Sequence, residues 1–210
     1  MEKLVELSLE NYAEKLDSSL PAPGGGSSSA YLGVMGISLA RMYAHLSFGK
    51  KKFEERPETE KEAFKNAFDR LLPIKEAFFK AVDDDALLYG SVIGAYRLPK
   101  DSEEEKEIRE RKIQEALILA AKIPLNLAEL AYDAMKLIAG MIPLGNQNVA
   151  ADAYTALDYL HTVIVAESYN ILANAKSLKD LSLSRSLTEK IRDLAEKSAI
   201  LLQNAKGDCL

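Results

Sequence analysis

The chain has 210 residues, 48% of them hydrophobic and 28% charged, the profile of an ordinary globular protein. That length predicts one domain over 1–210, with a core large enough to need neither disulfide nor metal. A formal net charge of -5 excludes general affinity for nucleic acid, which draws on dense positive charge.

The one cysteine, Cys209, cannot form an internal disulfide, so no oxidising compartment is implied and a cytoplasmic protein is expected. The opening MEKLVELSLENY is acidic and lacks the apolar run of a signal peptide. Residues Ala30 to Leu46 are largely apolar, but Arg41 and His45 interrupt them. That run falls short of the ~20 residues a membrane span needs, so no membrane partner is expected.

Helical spacing dominates the rest. Leu9, Tyr12 and Leu16 predict a short first helix. Two prolines and three glycines break the chain over 18–26. A second helix is predicted over 27–47, with Ser29, Gly33, Gly36, Ala40 and Ala44 on one stripe. Glycine inside a helix costs about 1 kcal/mol relative to alanine, so a close contact must offset it. That contact is either a core packing or a seam between two copies. Phe48 to Pro57 carries GKKKF. A long helix follows over 58–96, with Phe64, Phe68, Leu71 and Leu72 on one face and Pro73 as an expected kink. Ser102 and Glu105 form a capping box opening a helix over 103–139, with Pro124 as a second kink. Further helices are predicted over 149–174 and 184–205. No alternating strand pattern appears, so the expected fold is all-α, an up-and-down bundle of about six helices, two of them long.

Several places carry chemistry. Pro23, Gly24, Gly25, Gly26 and Ser27 lead into a helix start, whose free N–H groups and dipole attract anions. No Gly-Lys-Ser/Thr follows at Walker spacing, and a tight turn with an N-cap explains the segment equally well. Lys50 and Lys51 form a basic patch in an acidic chain; they either solvate a helix end or meet carboxylates. Asp83, Asp84 and Asp85 point about 100° apart on a helix, so either one of them turns inward or the three form a solvated acidic turn. A desolvated carboxyl gains proton affinity and suits general acid–base work; Tyr89 shares the Asp85 face. Arg97 and Lys100 flank a helix stop. Asn146 and Asn148 lie in a loop before Asp152, where they cap the next helix or bond a heterocycle. Asn170 and Asn174 share one face of a mostly apolar helix and need partners if buried. His45 and His161 stand in no metal-ligand spacing, so no metal site is expected.

Taken in order, PAPGGGS, GKKKF, DDDALLYGSVIGAYRLPK, IPLNLAELA, GNQN with Asp152, and then Asn170 and Asn174 resemble the formiminotetrahydrofolate cyclodeaminase and methenyltetrahydrofolate cyclohydrolase family, over nearly the whole chain. The resemblance implies an all-helical homodimer with a tetrahydrofolate derivative, its substrate, in a cleft near the dimer interface, and no further cofactor. Carried over, Gly24, Gly25, Gly26 and Ser27 line the cleft, and Lys50, Lys51 and Lys100 meet the glutamate tail. Asp85, with Asp84 beside it, is the proton-transfer group; Asn146 and Asp152 contact the pterin or orient the reacting group. Ala151 stands where family members often carry serine. The implied activity is cyclisation of 5-formiminotetrahydrofolate, with cyclohydrolase and a non-catalytic folate-binding protein as alternatives.

Overall fold

Helix starts and stops follow local chemistry. A computed structural model describes residues 3–207; Cys209 lies outside them. Ser8 accepts from Asn11 N–H and opens α1 (Leu9–Leu16). After the Pro/Gly break come α2 (Gly25–His45) and the single turn α3 (Lys51–Glu54). Two 39-residue helices follow, α4 (Glu58–Tyr96) and α5 (Glu103–Met141). The Ser102–Glu105 capping box is present in full, with bonds of 3.0 and 3.2 Å. Each of these helices spans about 58 Å, and neither Pro73 nor Pro124 ends its helix. The chain closes with α6 (Ala150–Ala175) and α7 (Leu181–Lys206). Asp180 accepts from Leu183 N–H at 2.9 Å, which starts α7 three residues before the position expected from periodicity. The described residues hold seven α-helices and no strand, so the predicted all-α bundle is correct.

Small side chains put α2 at the centre. It runs antiparallel to α4: Ser27 meets Val82, Gly33 meets Phe78, and Phe48 meets Phe64. It also runs antiparallel to α6: Ser29 meets Glu167, Gly36 meets Tyr159, and Asn146 reaches Ser47. A Cβ on Gly33 would lie 2.5 Å from the Phe78 ring, and one on Gly36 would lie 3.2 Å from Tyr159. The stripe of small residues is therefore filled inside the chain, which resolves its two possible roles in favour of core packing. Helix α5 packs on α4 and α6, and α7 covers α5 and α6. Fully buried Phe64, Leu71 and Phe78 each contribute roughly 1.5–3 kcal/mol of apolar burial.

The outer side of α2 and α4 remains apolar and exposed at Met35, Met42, Leu46, Leu72 and Phe79. Among the described residues, no helix is long and apolar enough to cross a membrane.

Candidate functional site

The three consecutive carboxylates of α4 go separate ways. Asp83 accepts from Leu4 N–H at 2.6 Å. Asp84 pairs with Lys80 one turn back. Asp85 turns inward, and its Oδ2 accepts from Ser27 N–H at 3.0 Å. Gly24, the residue before α2, has no side chain to cap the helix, so a carboxylate from α4 does that work. Gly26 makes the approach possible: a Cβ there would lie 2.1 Å from Asp85 Oδ1. The Ser27 hydroxyl donates to Val82 C=O at 2.9 Å and accepts from Tyr12 at 3.0 Å, fixing this corner. Tyr12 in turn stacks on Tyr31, with centroids 5.3 Å apart.

A second carboxyl stands in the same corner. Glu167 of α6 is 1% exposed. Its Oε1 accepts from the Ser29 hydroxyl and its Oε2 from the Asn170 amide at 3.3 Å. Burial pushes the Glu167 carboxyl up to about 7, against the pull of its two donors, with the charge of Asp85 adding to the rise. Burial also raises Asp85, and the Ser27 N–H opposes that rise. The two carboxyls line one cavity of about 10 Å³, the size of a single water. Gly26, Ala81, Leu88, Ile123, Pro124 and Leu127 complete it.

A much larger cavity, about 680 Å³, lies on the other side of α4. Leu4, Lys15, Ala22, Pro23, Lys80 and Asp84 are in its wall. The segment 22–26 divides the two spaces, with Ala22 and Pro23 facing the large cavity and Gly26 the small one. The larger space does not contain the Asp85 carboxyl, yet it is the one with room for a ligand.

The structure thus brings Pro23, Gly24, Gly25, Gly26, Ser27, Asp84, Asp85 and Asn170 to one end of α2. Lys50, Lys51, Asn146, Asn148 and Asp152 fall at the other end, about 30 Å away along the helix. There Asn146 bonds Ser47 Oγ through its N–H at 2.8 Å and Leu46 C=O through its amide at 3.1 Å, and it caps the Gln147–Val149 turn. Asn146 thus caps this short turn and not α6, whose N-cap Val149 makes no side-chain cap bond. Lys51 pairs with Glu55 at 3.8 Å and is mostly in solvent. Arg97, at the end of α4, and Lys100 are exposed. Tyr89 is exposed and lines neither cavity. Among the described residues, no three His, Cys, Asp or Glu side chains gather in a way that would hold a metal ion.

Tyr12 and Ser29 entered the sequence reading only as helix-face residues, and Glu167 was not among the candidate site residues. Glu167 had a signal: it sits on the stripe of Leu160, Val163, Ile164 and Ile171, where helical spacing buries it. A lone carboxyl on such a stripe must find donors or hold a proton.

The Formiminotransferase-cyclodeaminase family profile matches residues 8–193. A methenyltetrahydrofolate cyclohydrolase of Methylorubrum extorquens is 32% identical over 193 residues, covering 92% of this chain and 91% of that protein. The formimidoyltransferase-cyclodeaminase of Rattus norvegicus is 27% identical over 201 residues; the match takes in 94% of this chain but 36% of the rat protein. The crystal structure of formiminotetrahydrofolate cyclodeaminase from Thermotoga maritima superposes with a TM-score of 0.83 at 25% identity, covering 96% of this chain and 94% of that one. With the profile covering most of its length, this chain belongs to the formiminotransferase-cyclodeaminase family.

Proposed function

We propose that this protein is a folate one-carbon enzyme that cyclises 5-formiminotetrahydrofolate to 5,10-methenyltetrahydrofolate and releases ammonia. The observation that carries the reading is Asp85. Its carboxyl is partly withdrawn from water and fixed beneath the start of α2 by Ser27 N–H. The substrate lies across Pro23–Gly26 with its body in the 680 Å³ cavity, a volume within the range of roughly 300–1,000 Å³ usual for small-molecule sites. Lys3, Lys15 and Lys80 line that cavity and suit the carboxylates of a glutamyl tail.

The bond changes define the task of Asp85. The formimino carbon begins as a formamidinium cation on N5. N10 attacks it, a C–N bond forms, and the carbon becomes tetrahedral. N10 then carries a surplus proton, while the departing nitrogen is NH2, a poor leaving group. Asp85, as carboxylate, takes the proton from N10 and delivers it to that nitrogen. The C–N bond breaks, its electron pair leaves with ammonia, and the methenyl cation remains. One proton moves and no redox partner is needed. General acid–base transfer of this kind contributes about 10²–10⁴-fold. Holding N10 against the carbon contributes up to ~7–11 kcal/mol in ideal geometry.

The second reading is methenyltetrahydrofolate cyclohydrolase, favoured by the Methylorubrum relative, which this chain matches over 91% of its length. There water adds to the methenyl carbon, Asp85 takes a proton from it and passes that proton to N5, the C–N5 bond breaks with its electron pair on N5, and the remaining hydroxyl proton leaves to solvent as the formyl group forms on N10. Both readings place the enzyme in the cytoplasm as a homodimer. Two copies packed antiparallel along Met35, Met42, Leu72 and Phe79 would set the Lys50, Asn146 and Asp152 end of one beside the Asp85 end of the other. The residues that one chain holds about 30 Å apart would then serve one cleft.

The test is absorbance at the methenyltetrahydrofolate band. In one cuvette the protein meets 5-formiminotetrahydrofolate, and growth of the band with ammonia is the expected result. In a second it meets methenyltetrahydrofolate, and accelerated decay supports the cyclohydrolase. Uncatalysed rates in both, with folate still bound, overturn the enzyme reading in favour of a folate-binding protein.

A further inference from the structure

Glu167 is a buried carboxyl with no cation among the groups that act on it. Every element packed around it can be named. Helix α2 faces it with the Ser29 hydroxyl, α4 with Asp85, and α6 itself with the Asn170 amide. Helix α5 contributes only apolar Ile123, Pro124 and Leu127 to the shared cavity. The groups that act on its charge are Ser29, Asn170 and Asp85, none of them a cation. Two carboxyls against one water-sized space cannot both ionise cheaply, and their protons come off as those of a pair.

We propose that Asp85 and Glu167 form one proton-sharing pair, in which Glu167 is a positioning residue that governs the proton on Asp85. The inference rests on the reading of Asp85 as the proton carrier. In the singly protonated pair, the backbone donor Ser27 N–H, at the positive end of α2, favours the charge on Asp85. Glu167 keeps the proton, its side-chain donors notwithstanding. Asp85 is then the base that N10 needs, and Glu167 stays neutral behind it. When Glu167 also ionises, repulsion makes Asp85 hold its proton more tightly and yield it less readily to the departing nitrogen. Turnover therefore declines on the alkaline side of about 7, where Glu167 loses its proton.

The experiment is an infrared titration of the carboxyl C=O stretch in the substrate-free full chain, comparing wild type, Glu167→Gln and Asp85→Asn. Wild type should lose one protonated-carboxyl band with a midpoint near 7. Glu167→Gln should lack that band. In Asp85→Asn its midpoint should fall by about one pH unit, because the repelling charge is gone. The kinetic arm compares turnover at about pH 6.5 and pH 8.5, expected to differ roughly 20-fold in wild type and within about threefold in Glu167→Gln. A purely structural Glu167 would lower both rates in parallel and leave their ratio as in wild type, which overturns the proposal. So does a band that keeps its midpoint in Asp85→Asn. If no folate is turned over at all, the enzyme reading fails, yet the infrared arm still decides whether the pair exists. If Glu167→Gln does not fold, the shift in Asp85→Asn decides alone.

Discussion

The two ends of α2 are built on opposite plans. At its C-terminal end Phe48, Phe53 and Phe64 meet edge to face, with centroids 5.0–5.6 Å apart. Tyr43 donates there to Ile142 C=O at 2.9 Å, and Ser47 donates to Tyr43 C=O at 2.8 Å. At the N-terminal end, glycines bring a backbone against Asp85, and Glu167 is buried without a cation. One end holds the bundle together. The other keeps carboxyls in a setting that costs stability, as expected where proton transfer needs a shifted group.

That contrast can be broken by its effects on stability. The largest is expected at the aromatic end. Phe64→Ala removes a fully buried ring and should cost about 3–5 kcal/mol by denaturant unfolding. It should leave the titration of Glu167 in place; a moved midpoint would show that the two ends are not separate.

A smaller effect, of opposite sense, is expected at the carboxyl end. Folded Glu167 keeps its proton to about 7, while the unfolded chain releases it near 4.5. Between those values the native state binds more protons, so stability falls as pH rises and levels off above about 7. The loss attributable to this group is about 3 kcal/mol. Glu167→Gln should flatten that slope and be more stable than wild type at pH 8, as read by urea unfolding. A slope unchanged in the variant would mean that another group causes it.

The smallest effect belongs to the exposed rim. Lys51 is 89% exposed and its pair with Glu55 spans 3.8 Å, so Lys51→Ala should change stability by less than about 0.5 kcal/mol. A greater loss by thermal unfolding would make this lysine structural and remove it from ligand binding.

The helices were legible in sequence because each rests on a local rule, and the inward aspartate only as one of two readings, with Asp85 singled out by the family resemblance. Ser102 and Glu105 cap at fixed spacing, and three consecutive carboxylates cannot all face water on one amphipathic helix. The stripe from Ser29 to Ala44 declared a close neighbour but not its identity, since a glycine face fits Phe78 of the same chain as well as a second copy. Motif order placed Gly24 and Asn146 in one site. A 21-residue helix between PAPGGGS and GKKKF puts them far apart in a single chain, and only the fold shows which helices meet at each end. Glu167 escaped notice because its donors Ser29 and Asn170 and its neighbour Asp85 come from three different helices.

The most direct test of the claim that chemistry resides at the Asp85 end is Asp85→Asn, assayed for turnover, folate binding and unfolding together. The asparagine oxygen can still accept from Ser27 N–H, so the cap on α2 and the fold should survive. Turnover is expected to fall by about 10²–10⁴-fold, with folate affinity within about threefold of wild type. A variant that turns over at the wild-type rate would contradict the account and reduce Asp85 to a helix cap.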